Sequence, residues 1–110
     1  MKKILDGVRV LDLGRIISAP YCAMLLADMG AEVIKVEKAG VGDDMRTMSE
    51  FDFPAVNRNK KCVTIQFRSE EGKQLLRELI KKSDILLENF RPGTMEKMGF
   101  SYEEVKKINP

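Results

Sequence analysis

Short apolar runs alternate along this chain with stretches whose apolar residues recur every three or four positions. The first run, Val8-Arg9-Val10-Leu11-Asp12-Leu13, is too apolar for a surface hairpin and reads as a strand. A helix is predicted over residues 19–29, with Cys22, Leu25, Leu26 and Met29 at i, i+3, i+4, i+7 spacing as its buried face. Gly30 ends it, free to take the left-handed cap conformation. Val33-Ile34-Lys35-Val36 follows as a second strand. Strand, helix and strand in this order form a βαβ unit, whose connection should be right-handed. In open α/β sheets, ligands bind beyond the carboxyl ends of the strands. The loop Gly14-Arg15-Ile16-Ile17-Ser18 and the segment after Glu37 are therefore where function is sought.

Residues 38–61 break the pattern with two glycines, Pro54 and interspersed acids and bases, and read as a long excursion without regular structure. Cys62-Val63-Thr64-Ile65-Gln66-Phe67 alternates large and polar residues as a third strand. Ser69 then caps a helix with Glu70 and Glu71 in its first turn, where carboxylates suit the dipole. Leu75, Leu76, Leu79 and Ile80 make the buried stripe of that helix. Asp84-Ile85-Leu86-Leu87-Glu88 is a short fourth strand. Asn89-Phe90-Arg91-Pro92-Gly93 crosses to a short helix, with Pro92 suited to its first position and Gly99 as its stop. Ser101-Tyr102-Glu103-Glu104 is a capping box opening a last helix to Ile108. Four strands alternating with helices predict an α/β fold, a Rossmann-like doubly wound parallel sheet. Because the pattern stops on Asn109-Pro110 just after a helix, residues 1–110 are expected to be the N-terminal part of a larger domain.

The totals narrow the class. A chain of 110 residues carries one modest core, and 44% hydrophobic with 33% charged residues suits a soluble protein. No run approaches the ~18 apolar residues of a membrane span. The basic start, Met1-Lys2-Lys3-Ile4-Leu5-Asp6-Gly7, is interrupted too early by charge to be a signal peptide. Cys22 and Cys62 make neither a metal spacing nor a CxxC pair, and read as two buried thiols of a reduced, cytoplasmic protein. A net charge of +2 gives no bulk attraction for nucleic acid. With no histidine, the commonest general base and metal ligand is missing.

Individual motifs are weaker than the pattern. A dinucleotide site would carry G-x-G-x-x-G after the first strand, but here Gly14 is followed by bulky Arg15, Ile16 and Ile17. Glu37 stands where a ribose-binding acid would sit, yet without the glycines it reads as a surface ion-pair partner. Lys35, Lys38, Arg46, Arg58, Lys60, Lys61, Arg68, Arg91 and Lys97 lie in or beside loops that follow strands. Each alone reads as solvated surface; together they suit a phosphate-rich ligand. Asp43-Asp44 reads as a glycine-flanked turn, and Asp12 as a residue that holds a loop. Met24, Met29, Met45, Met48, Met95 and Met98 are mostly core filler, and Phe51 and Phe53 beside Pro54 are packing residues or a pocket plug.

Several blocks together carry a resemblance. Leu5-Asp6-Gly7-Val8-Arg9-Val10-Leu11-Asp12-Leu13, Ala19-Pro20 and Leu26-Ala27-Asp28-Met29-Gly30-Ala31-Glu32-Val33-Ile34-Lys35-Val36-Glu37 resemble the opening of the family III CoA-transferases. Formyl-CoA transferase, carnitine CoA-transferase and α-methylacyl-CoA racemase belong to that family. The likeness continues through Gly42-Asp43, Asn57-Arg58-Asn59-Lys60-Lys61, Glu70-Glu71-Gly72, Glu88-Asn89-Phe90-Arg91-Pro92-Gly93, Met98-Gly99-Phe100 and Asn109-Pro110.

The resemblance implies a Rossmann-like domain that binds coenzyme A or acyl-CoA without a metal, acts on a carboxylic acid, and forms an interlaced homodimer. Neither nucleic acid nor a membrane is implied as a partner. Carried over by position, CoA contacts fall on Ile17, Ser18, Lys38, Ile65, Arg68, Asn89, Phe90, Arg91 and Lys97. Arg68 would pair with phosphate, and lysine at 38 and 97 keeps the charge of the family's arginines without their bidentate fork. The family's transferases often have glutamine where this chain has Ile17. Their nucleophile, an aspartate that attacks the thioester and forms a mixed anhydride, falls beyond Pro110, so no catalytic residue is expected within 1–110. The racemase and a free-standing α/β module for a phosphorylated ligand are the alternatives.

Overall fold

The computed structural model describes residues 2–48 and 52–110. Four parallel strands, β1 (Arg9–Asp12), β2 (Glu32–Lys38), β3 (Lys60–Ile65) and β4 (Ile85–Leu87), form one sheet in the order β3-β2-β1-β4. The helices are α1 (Ser18–Asp28), α2 (Met45–Met48), α3 (Asp52–Asn57), α4 (Glu70–Lys81), α5 (Thr94–Lys97) and α6 (Tyr102–Ile108). Both faces of the sheet are covered, as a doubly wound fold requires. Val10 and Val33 pack with Ala23 and Ala27 of α1 on one face. Leu11, Leu13, Val36 and Ile65 pack with Leu76 and Ile80 of α4 and with Phe100 on the other.

Strand residues alternate between these faces, and the alternation separates two chemistries on the α1 side. The amino halves of β1 and β2 present Val10 and Val33 to α1. Two residues further on the same face come Asp12 and Lys35, then Glu37, all buried. The apolar half is covered by a close-packed helix and the charged half faces the loops at the strand ends.

The buried face of α1 is not the predicted one. Ala19, Pro20, Ala23, Met24 and Ala27 are buried, whereas Cys22, Leu25 and Met29 are exposed. Two apolar stripes run along this helix, and the stripe of small residues is the one that lets it approach the sheet. Both cysteines are exposed, so neither is a buried thiol. Residues 38–61 also differ from expectation: they contain α2 and α3, and α3 packs against α1. Asp28 ties this segment down by accepting from Arg58 and Asn59. Phe53 stacks under the Arg46 guanidinium, 3.8 Å from its ring centre, while Phe51 lies outside the described residues.

Other boundaries follow the expected chemistry with local shifts. Gly30 takes φ 107° after α1. The Ser69 hydroxyl accepts from Gly72 N at the start of α4, where Leu76 and Ile80 are buried but Leu75 is exposed. Gly93, in the left-handed region, caps α5, so Pro92 precedes the helix instead of opening it. The Ser101 hydroxyl accepts from Glu104 N at the start of α6. Met24 and Met45 are core residues; Met29 and Met48 are exposed.

Candidate functional site

All four strands run the same way, so the loops that leave them gather at one end of the sheet. A hollow of about 300 Å³ opens there. Its walls are apolar, from Leu13, Val36, Phe67, Phe90 and Met98, and Lys38 and Arg68 stand at it as cations. A second hollow of about 410 Å³ adjoins it, shares Arg15, Phe90 and Thr94, and adds Ile16, Asn89 and Arg91.

The loop between β1 and α1 divides the two hollows and is held from both sides. On the β4 side, Asn89 accepts from Arg15 N at 2.8 Å and donates to Arg15 O and Ser18 Oγ, each at 2.9 Å. On the β2 side, Lys35 Nζ donates to Gly14 O at 3.0 Å and lies 2.8 Å from Asp43 Oδ2. Asp43 in turn accepts from the amides of Ile16 and Met45. Beneath the loop, Asp12 Oδ1 accepts from Gly14 N at 2.8 Å, a short turn that leaves room only for glycine. A Cβ at Gly14 would collide with Ala19 and sit 2.9 Å from Asp12 Oδ1.

A buried polar network continues outward from there. Lys60 Nζ donates to Asp12 Oδ2, Pro20 O and Asn57 Oδ1, each at 2.8 Å. Glu37 accepts from Arg46 through both oxygens and from Asp43 N. The paired hydrogen bonds from Arg46 hold the Glu37 carboxyl below the ordinary range despite its burial. Burial pushes Asp43 upward, but hydrogen bonds from Lys35, Met45 and Ile16 outweigh it and the net direction is down. Burial pulls Lys60 down, against the pull of Asp12. Among the described residues no buried side-chain nitrogen or oxygen lacks a partner.

This divides the nine-base cluster in two. Lys35, Arg46, Arg58, Lys60 and Lys61 are all in ion pairs, with Asp43, Glu37, Asp28, Asp12 and Glu32. Lys38, Arg68, Arg91 and Lys97 have no ion-pair partner among the described residues. Glu37 is an ion-pair partner as expected, but a buried one.

The structure gathers most of the expected site residues but not all. Lys38, Arg68 and Phe90 line the first hollow, and Asn89, Phe90 and Arg91 the second. Ser18 is tied to the second hollow through Asn89. Ile17 stands 55% exposed before the first turn of α1. Ile65 is buried in the core behind the first hollow, and Lys97 is exposed on α5 and lines neither hollow. Phe67 falls within the stretch from Ile65 to Arg68 that the resemblance sets along the nucleotide, and Arg15 within the loop where function is sought; Thr94 is not singled out by sequence, and Arg15 pairs with Asp44. The spacing Asp12-x-Gly14 at a strand end is the signal that points to this loop. Apolar walls beside unpaired cations suit a ligand with both a flat or chain-like apolar part and phosphate groups.

The chain matches the family model described as CoA-transferase family III over residues 5–110. It is 48% identical, over 96% of its length, to succinyl-CoA–D-citramalate CoA-transferase of Chloroflexus aurantiacus. It is 45% identical, over its whole length, to formyl-CoA:oxalate CoA-transferase of a Bradyrhizobium species. In both cases it spans 28% of the length of the relative. A solved CAIB/BAIF family protein from Brucella suis superimposes with a TM-score of 0.95 at 40% identity, covering all of this chain and 32% of that one. A family match across nearly the whole chain, on a parallel sheet with a cation-rimmed apolar hollow at its carboxyl end, places this chain in the family III CoA-transferases.

Proposed function

We propose that the protein containing this chain moves CoA between an acyl-CoA and a carboxylic acid, and that these residues supply the CoA-binding part of the site. The observation that carries this reading is the meeting of apolar Phe67 and Phe90 with Lys38 and Arg68, which have no ion-pair partner among the described residues, around one hollow at the strand ends. Coenzyme A offers an adenine, an extended pantetheine chain and phosphate groups, which match such walls and cations. Arg91 extends the positive rim to the second hollow, and exposed Lys97 adds charge nearby on α5.

In this reading an aspartate outside these residues attacks the thioester carbonyl. The carbon–sulfur bond breaks, CoA leaves as thiolate, and the acyl group stays on the enzyme as a mixed anhydride. The 110 residues alone then turn over no acyl-CoA. We place the active enzyme in the cytoplasm as an interlaced homodimer. No described helix is long and apolar enough to cross a membrane.

The test is calorimetric titration of the full-length protein with CoA and with NADH, followed by assay of a panel of acyl-CoA donors and carboxylate acceptors. CoA binding with transfer is expected; NADH binding without CoA binding overturns the reading. Ile17, where the transferases often have glutamine, bears on the identity of the acyl substrate, and a racemase is the second reading. Exchange of the α-proton of a 2-methylacyl-CoA in heavy water, with no CoA transfer, would select it.

A further inference from the structure

One residue of the loop between the two hollows sits in a conformation that its side chain disfavours. Ile16 has φ 66°, in the left-handed region that a β-branched residue rarely enters. Glycine would take this turn without strain, but it would not supply the side chain that lines the second hollow. Something outside the loop must therefore hold the backbone.

The holding groups are two charges from β2 and the segment after it. Ile16 N donates to Asp43 Oδ1 at 3.1 Å and Oδ2 at 3.3 Å. Lys35 Nζ lies 2.8 Å from Asp43 Oδ2 and donates to Gly14 O at 3.0 Å. The cation thus grips a carbonyl at one end of the Gly14-Arg15-Ile16 turn and the anion grips an amide at the other. Both side chains are shut away from water, with Lys35 0% and Asp43 3% exposed. In such surroundings these hydrogen bonds are strong, because the loop cannot exchange them for water. Asp43 is itself fixed by Met45 N, and its own amide donates to Glu37.

We propose that the buried Lys35–Asp43 pair is a positioning device: it holds Ile16 left-handed and so sets the wall that divides the two hollows. The pair acts through the turn, although Asp43 itself also lines the first hollow. The proposal rests on the CoA reading above for what that wall receives.

The experiment uses full-length protein and two readouts, CoA affinity by calorimetry and protection of the Ile16 amide from hydrogen exchange. Asp43→Ala removes the acceptor and should expose the Ile16 amide and weaken CoA binding about tenfold, the scale of the strain released. Measured in an Ile16→Gly background, where the turn needs no holding, the same substitution should lose most of its effect on affinity. A general loss of stability would not be rescued at that one position. If Asp43→Ala exposes the Ile16 amide yet leaves CoA affinity unchanged, or acts equally in both backgrounds, the proposal is overturned. Should Asp43→Ala fail to fold, the neutral pair Lys35→Met with Asp43→Leu removes both charges together and takes its place in the same comparison. Wild-type protein that does not bind CoA at all would sink the CoA reading, while retained protection of the Ile16 amide in the Asp43 variant would sink the clamp.

Discussion

Lys60 Nζ lies 2.8 Å from Asp12 Oδ2, with both side chains wholly buried. The two residues belong to β3 and β1 and reach each other across β2. Between them stands Lys35, whose Nζ is 4.0 Å from the same Asp12 oxygen. Two lysines and the carboxylates of Asp12 and Asp43 form a charge-balanced cluster inside the α1 face of the sheet. Such a cluster is stable only while it is complete, because each ion has given up its water.

Removing one member is therefore expected to cost far more than a surface ion pair would. Lys60→Met should lower unfolding free energy by about 3–5 kcal/mol, since Asp12 is left charged and buried. Adding Asp12→Asn removes that charge while keeping an acceptor for Gly14 N, so the double variant should recover part of the loss. Urea unfolding of the four proteins checks this. A Lys60→Met loss below 1 kcal/mol, on the scale of about 0–1 kcal/mol for exposed pairs, would mean the cluster is solvated.

Acid should attack the same region. Glu37 and Asp43 are both held below their ordinary values of 4.5 and 3.8. The unfolded chain therefore takes up protons first, so their contribution is complete above the ordinary carboxylate range and is lost as pH falls through the lowered values. Arg46, Lys35 and Cys62 face Glu37, and of these the two cations maintain the shift. Stability measured from pH 7 to pH 3 should fall with a slope of up to about 1.4 kcal/mol per pH unit for each group. In Glu37→Gln that slope should shrink, while wild-type and variant should converge at low pH.

Two exposed arginines ten positions apart should behave differently. Arg58 is paired with Asp28, whereas Arg68 lines the first hollow with no ion-pair partner among the described residues. In the full-length enzyme Arg68→Ala should raise the KM for acyl-CoA about tenfold, the scale of a charge-assisted hydrogen bond. The variant's KM should also depend less on salt than that of wild type, because one screened contact is gone. Arg58→Ala should leave KM alone. Equal KM values for Arg68→Ala and wild type at low salt would remove Arg68 from the phosphate site.

The contrast between those arginines shows what the sequence could reveal and what it could not. The four strands, α1 and the helices after β3 were legible because each is written locally, in a Ser69 cap, a Gly30 stop or a run such as Val33 to Val36, whereas α2 and α3 lay in the stretch read as irregular. The buried side of α1 was not. Leucine and methionine at one spacing and alanine at the same spacing give equal periodicity, and only the close approach to the sheet selects Ala19, Ala23 and Ala27. Nor could composition separate a cation that binds a ligand from one already neutralised. Lys60 finds Asp12 across 48 residues of chain, and no local pattern records a partner that distant. The resemblance draws a line at the same place: the four bases of the cluster without an ion-pair partner among the described residues, Lys38, Arg68, Arg91 and Lys97, are those it marks as expected CoA contacts.

Asn89 offers a sharper test of the loop, because its side chain needs both of its chemistries there. Its amide nitrogen donates to Arg15 O and Ser18 Oγ, and its oxygen accepts from Arg15 N. Asn89→Ala removes all three bonds and lets water replace them, since the position is exposed; the expected loss is about 1 kcal/mol. Asn89→Asp keeps the acceptor but turns a carboxylate toward the Arg15 carbonyl, which cannot donate. It also places a negative charge beside the second hollow, next to Arg91. Asp should therefore bind CoA more weakly than Ala, although it is closer in shape to the native residue. Calorimetry on the three full-length proteins checks the order. If Asn89→Asp binds as well as wild type, the Arg15 carbonyl is not held by this side chain, and the loop owes its position to the β2 side alone.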